Sequence, residues 1–221
     1  FTEKAKMKLI EGKTFLLKDE NKPIDGCTVS SSLHKGINEE IECYALSAST
    51  DISPETYPFD TFLIVLDGNI KLQGKYNVSL KANEICYIER EALIGMEALK
   101  DSVYINIGIR SSKTMNNKIK AGEVFSLENL VPYQEGKIVN MDVINSDSLK
   151  LCLMAFDEGT GLSEHSAPGE ALIFALDGEA TIVYEGIEHT LKKGENFHFA
   201  KGGRHAVKCN KRFKMALLLT L

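Results

Sequence analysis

The stretch TFLIVLDGNI at residues 61–70 has a counterpart 110 residues later, ALIFALDGEA at 171–180. Both run apolar into Leu-Asp-Gly, at 66–68 and again at 176–178. A short apolar run broken by Asp-Gly is a buried strand meeting a turn, because glycine enters backbone conformations closed to other residues. The same offset relates Gly12 to Gly122, Phe15 to Phe125, Leu17 to Leu127 and Pro58 to Pro168. One more residue then enters, and Leu80, Lys81 and Glu84 meet Leu191, Lys192 and Glu195 at an offset of 111. So many matches in one register predict two tandem copies of one domain, residues 1–115 and 116–221. The seam is expected in SSKTMNNKIK at 111–120, a polar stretch without apolar periodicity.

Each copy reads as many short strands. Runs such as IECYAL, KLCLMAF, ATIVY and FKMALLL are rich in β-branched, aromatic or other large apolar residues. Gly, Asn, Asp and Pro punctuate them about every ten residues, the rhythm of an all-β sandwich or barrel. Ala180 to Tyr184, Glu185-Gly186 and Ile187 to Leu191 spell a hairpin with a tight turn. Helical periodicity is scarce; Ser126 to Tyr133 is the best candidate and is expected to make one short turn at most. The fold class is therefore all-β, two barrels in tandem.

The 221 residues are 43% hydrophobic and 26% charged, which supplies a sizeable core and excludes disorder and fibrous classes. The net charge is −5, with 14 basic against 17 acidic residues up to Met115 and 12 against 14 beyond it. Neither half offers the cationic face that phosphate neutralisation needs, so nucleic acid is not an expected partner. The longest apolar runs, such as Phe62 to Leu66, fall far short of a membrane span of about 20 residues, so no membrane role is expected. Five widely spaced cysteines without a CxxC pair read as reduced, buried thiols, which points to the cytoplasm.

Four of the five histidines fall in the second copy: His165, His189, His198 and His205. His165 precedes an apolar strand in HSAPGEALIFALDG (165–178), and His205 closes a Gly-rich bend in GENFHFAKGGRH (194–205). With Gly159 and Gly178 around the first histidine and Gly194 and Gly202 ahead of the second, these segments resemble the two motifs of the cupin superfamily, whose domains are jelly-roll barrels. Ala200 stands where that family has the proline of its second motif. Residues 121 to 221 are further similar to small single-barrel bacterial cupins with His-x-Ala-Pro in place of His-x-His. The fold implied is a tandem bicupin, two cupin β-barrels.

In that family three histidines and a glutamate surround a divalent metal. Carried onto this chain, His165 and His205 take the first and third ligand positions, while Ala167 and Ala171 occupy the other two and coordinate nothing. The resemblance thus implies a metal, Zn, Fe, Mn or Ni, held by His165 and His205, with Glu170, Glu164, His189, His198, waters or a bound ligand completing the set. Glu170, His189 and His198 are the candidate supporting or ligand-binding residues. Glu170 adjoins a family position but points to the opposite face if its strand has begun. His189 shares parity with Ile187 and Leu191, and His198 lies between two phenylalanines.

The residues themselves leave three readings open for the pair: metal ligands, ligand-contacting acid/base groups without metal, or hydrogen-bonded wall residues. In the first copy the same register places Glu55, Tyr57, Thr61 and Ile94 at the ligand positions, so that barrel is expected to carry no metal. Two functions follow from the second copy. One is an enzyme of undefined reaction with a small-molecule pocket and a divalent-metal site. The other is a non-catalytic barrel that binds or senses a small metabolite. The resemblance also suggests a homodimer.

Overall fold

A computed structural model describes residues 5–110, 116 and 118–221. The strands of the first half are β1 (Thr14–Phe15), β2 (Thr28–Lys35), β3 (Glu39–Leu46), β4 (Asp51–Thr56), β5 (Asp60–Gly74), β6 (Ser79–Lys81), β7 (Glu84–Ile88) and β8 (Leu93–Ile109). One helical turn, α1 (Leu17–Glu20), lies between β1 and β2. The second half holds β9 (Val124–Ser126), β10 (Ile138–Asn145), β11 (Leu149–Phe156), β12 (Gly161–Ser166), β13 (Glu170–Tyr184), β14 (Ile187–Lys192), β15 (Asn196–Phe199), β16 (Arg204–Lys208) and β17 (Phe213–Thr220). A 3₁₀ turn at Leu127–Asn129 falls where one short turn was expected. No described helix is long and apolar enough to cross a membrane. The expected seam at 111–120 lies outside the described residues except for Asn116 and 118–120.

The chain divides into two compact units. Over the described residues one holds 5–8, 17–110 and 118–126, and the other 9–16, 116 and 127–221. Thr14–Phe15 and Val124–Ser126, related by the repeat, are thereby traded: β1 pairs with β15 in the second unit and β9 with β7 in the first. Each unit is an antiparallel jelly roll. In the second, the path runs β1-β15-β13-β17-β11-β10, while β12, β16 and β14 form a second layer joined through the far half of β13. In the first, β2-β3-β8-β5-β7-β9 is the path, with β4 and β6 off it.

The long strands make this possible by turning a corner. Residues Glu170–Ala175 of β13 pair with β15 and β17, whereas Glu179–Tyr184 pair with β14 and β16. The corner is the Leu-Asp-Gly read from the sequence. The register slips by one residue between Ala175 and Asp177, a bulge that bends the strand. Gly178 follows with φ +71, and a Cβ there would stand 1.9 Å from the Arg212 carbonyl oxygen. The first unit repeats the device: its register slips between Val65 and Asp67, and Gly68 has φ +95. Asp67 caps its corner by accepting from the Gly68 amide at 2.9 Å, and Asp177 accepts from the Tyr133 hydroxyl at 2.9 Å.

Alternation along β13, β15 and β16 sends Ala171, Ile173, Ile182, Phe197, Phe199 and Val207 into one core. The tight hairpin appears as expected, with Tyr184 opposite Ile187 and both turn residues, Glu185 and Gly186, at positive φ. All five cysteines are free, and only Cys27 is exposed.

Two glycines separate the parts of this constraint. Gly178→Ala meets both a left-handed φ and a backbone collision, and is expected to cost at least about 2 kcal/mol in urea unfolding. Gly186→Ala, at φ +80 with nothing within 4 Å of its Cβ position, is expected to cost about 1 kcal/mol. Equal losses would show that the close approach at the corner contributes nothing.

Candidate functional site

His165 is brought opposite His205 by a bulge. On β12, Leu162 packs on the core and pairs with Val207 of β16. Three residues further on, strict alternation would turn residue 165 outward. The ladder instead slips by one between Leu162 and His165, which sets His165 directly opposite His205. His205 shares parity with Val207 and Cys209, both core residues. The two imidazoles therefore meet, with ring centroids 4.2 Å apart.

Burial grades across the pair. His165 is exposed, whereas His205 is 8% exposed. The His205 ring lies nearly parallel to Phe199, centroids 4.1 Å apart at 20°, and so sits between Phe199 and His165. Tyr184, the neighbour of His205 across β13 and β16, lies 5.4 Å from Phe199 and donates its hydroxyl to the Glu11 carboxylate. Gly203 admits that ring: a Cβ there would stand 2.6 Å from Tyr184.

Both imidazoles are held by backbone carbonyls. His165 Nδ1 lies 2.9 Å from the Ser163 oxygen, and His205 Nδ1 lies 3.1 Å from the Gly203 oxygen. A carbonyl only accepts, so each Nδ1 carries the proton, and each neutral ring keeps its lone pair on Nε2. Burial holds the His205 imidazole below its ordinary 6.5; the Gly203 carbonyl opposes this, and the charge of a protonated His165 adds to it.

The other candidates divide by strand parity. His189 lies on β14 with its ring edge-on to Phe197 at 5.1 Å. His198 alternates with Phe197 and Phe199 and so takes the opposite face of β15. Glu170 likewise alternates with the core residue Ala171, and its charge reaches His198. Glu170 and His198 thus share a face away from the His165–His205 pair. His198 is 9% exposed, its Nδ1 has no partner, and burial lowers its pKa against the pull of Glu170 and Glu11.

The donor set does not fit a resident metal. A stable protein site takes three or four N, O or S donors. Here the pair supplies two imidazoles, and Ala167 and Ala171, each 3% exposed, stand at the remaining family positions without a donor side chain. Among the described residues no group of three or more His, Cys, Asp or Glu side chains could hold an ion. What the pair offers is two Nε2 atoms turned from the backbone carbonyls, above an aromatic floor. Sequence reading missed three parts of this arrangement, Phe199, Tyr184 and Glu11. Phe199 was accessible from its parity with Phe197; Glu11 had no signal, because it arrives from β1's segment, 173 residues from Tyr184.

Residues 152–220 match the family model described as "Cupin domain". No curated protein matches the chain. Among solved structures, a cupin 2 conserved barrel domain protein from Leptotrichia buccalis is 26% identical, with a TM-score of 0.84 over 98% of this chain and 100% of that one. YlbA from E. coli is 15% identical at a TM-score of 0.58, covering 100% of this chain and 95% of the other. A variant of salicylate 1,2-dioxygenase from Pseudoaminobacter salicylatoxidans is 10% identical at 0.60, over 83% and 70%. The last two likenesses concern the fold alone.

His205 makes stability depend on pH in a defined direction. Its folded pKa is depressed, so acid protonates the unfolded chain first. The stability it contributes is complete above about pH 6.5 and is lost as pH falls below that value toward the folded pKa. His198 acts with the same sign. Urea midpoints are expected to fall between about pH 7.5 and pH 5.5, and less steeply in His205→Gln; equal slopes in both proteins would remove His205 from the linkage.

Proposed function

This chain is a two-barrel cupin-fold protein, and on that premise we propose that its second barrel binds a small hydroxylated molecule through His165 and His205 without a resident metal. The observation that carries this reading is the pair of Nδ1 contacts to the Ser163 and Gly203 carbonyls, which leave both Nε2 atoms as acceptors. Hydroxyl groups are the donors such acceptors take. The exposed His165 lies at the rim and the buried His205 beneath it, so a ligand would meet them in that order. Two neutral imidazoles beside a bound hydroxyl can also serve as proton acceptors, and the same arrangement would support an acid/base reaction on that ligand.

A second reading is favoured by the same hydrogen bonds. Metal-bound histidines commonly donate their other ring nitrogen to a backbone carbonyl. Under that reading a divalent ion would sit on His165 and His205, with a chelating ligand completing its donors, and the barrel would be an enzyme.

Metal content of untagged protein separates the two. The proposal expects less than about 0.1 ion per chain and polyol or hydroxy-acid binding by ligand-observed NMR that weakens at least about tenfold in both His165→Ala and His205→Ala. Stoichiometric metal lost in His205→Ala would favour the enzyme, and binding unchanged in both variants would overturn the site.

A further inference from the structure

We infer that Glu11 is a positioning residue for the histidine pair: by accepting the Tyr184 hydroxyl it reserves the Gly203 carbonyl for His205 and so fixes which ring nitrogen meets a ligand. The strap that carries Glu11 is tied to β15. Thr14 pairs with Phe197 and Phe15 with Asn196, and the Gly12 amide donates to the His198 carbonyl at 3.1 Å. Gly12 has φ +66, and a Cβ there would stand 3.0 Å from the Tyr184 ring, so the strap backbone lies against that ring. Glu11, one residue earlier, takes the hydroxyl.

The far side of the phenol borders the bend that holds His205. Tyr184 is buried, and its hydroxyl oxygen lies 2.6 Å from the position a Gly203 Cβ would take. The Ala200 amide also acts on that oxygen. A buried hydroxyl keeps an acceptor wherever one is in reach. Here the acceptor is Glu11, and it draws the proton away from the bend.

The bend has no acceptor to spare at Gly203. Its carbonyl oxygen takes the Ala167 amide at 3.1 Å and His205 Nδ1 at 3.1 Å. A carbonyl oxygen has two lone pairs, so both are committed. A Tyr184 proton released from Glu11 bonds this oxygen only by displacing one of those donors. The Ala167 amide is held in place, because the Gly202 amide donates back to the Ala167 carbonyl at 2.8 Å. The imidazole is the donor that yields, since its proton can pass to the other ring nitrogen.

That exchange inverts what His205 presents. With the proton on Nδ1, Nε2 accepts a hydrogen bond; with the proton on Nε2, the same atom donates one. A hydroxyl that donates to Nε2 then loses its partner. Glu11 thus sets the polarity of the buried imidazole without touching it. The consequence for binding rests on the reading of the pair as a hydroxyl-acceptor site, whereas the consequence for the tautomer does not.

Nitrogen NMR of the histidine rings in the full chain tests this at about pH 8, where burial keeps His205 neutral and protonated and bare ring nitrogens give separate signals. Wild-type His205 is expected to carry its proton on Nδ1. In Glu11→Ala the ratio of Nδ1–H to Nε2–H at His205 is expected to fall about fivefold, the worth of one neutral hydrogen bond, and mannitol titrated into the same samples to bind about fivefold more weakly. Glu11→Gln keeps an acceptor and is expected to retain the wild-type ratio. Tyr184→Phe placed in the Glu11→Ala chain removes the competing proton and is expected to restore that ratio, which a merely structural role of Glu11 would not produce. His165, held by Ser163, is expected to keep its proton on Nδ1 throughout. A wild-type His205 protonated on Nε2, an unshifted ratio in Glu11→Ala, or a shift that Tyr184→Phe fails to reverse would each overturn the inference. A shifted and reversible ratio in chains that bind no mannitol up to about 50 mM would uphold it and count against the hydroxyl-acceptor reading alone.

Discussion

Both barrels depend on a single strand serving two layers. An antiparallel sheet can close on itself only if some strands leave one layer and enter the next, and the backbone must bend sharply where they do. In β5 and β13 the ladder slips ahead of a glycine pressed against the neighbouring strand, once in β13 and repeatedly around the glycine in β5: Gly68 against Asp101 and Ser102, Gly178 against Arg212. A side chain at either glycine would push the two strands apart. The hydrogen bonds before and after the corner, and the cores they close over, follow from that approach.

This is why the fold was legible. Leu-Asp-Gly recurs because the same corner recurs, and an apolar run that ends at an Asp-Gly shows up without any structure. The His165–His205 pair was legible in part. Its residues stood out by type, but their meeting rests on a bulge at Ser163–Glu164 that no local sequence rule announces. Simple alternation read along β12 from Leu162 would have sent His165 outward. No bulge interrupts β13 at its start, so alternation puts Glu170, read from the sequence as a candidate supporting residue, on the face opposite Ala171. Glu11 was invisible because it joins Tyr184 only through a strand from the far end of the chain.

The two units share geometry and differ in chemistry. Corresponding bulges deliver His165 in one and Glu55 in the other to corresponding places. Beneath them stand a neutral imidazole on a phenylalanine and a stacked pair of neutral phenols beside a carboxylate. The first copy keeps the same geometry with different side chains. Its interior is polar in a different sense, and its tyrosines were easy to pass over because tyrosine in a β-rich chain is ordinarily taken for packing.

The trade of β1 and β9 between units bears on how the chain matures. A domain built from a continuous segment can fold as soon as its last residue clears the ribosome. The first barrel cannot be finished then, because the strand that lines β7 is made of Val124–Ser126, beyond the seam. Its edge stays open during synthesis until that stretch emerges, and β1 waits longer still for Asn196 and Phe197. Translation order therefore leaves the earlier barrel dependent on the later half of the message.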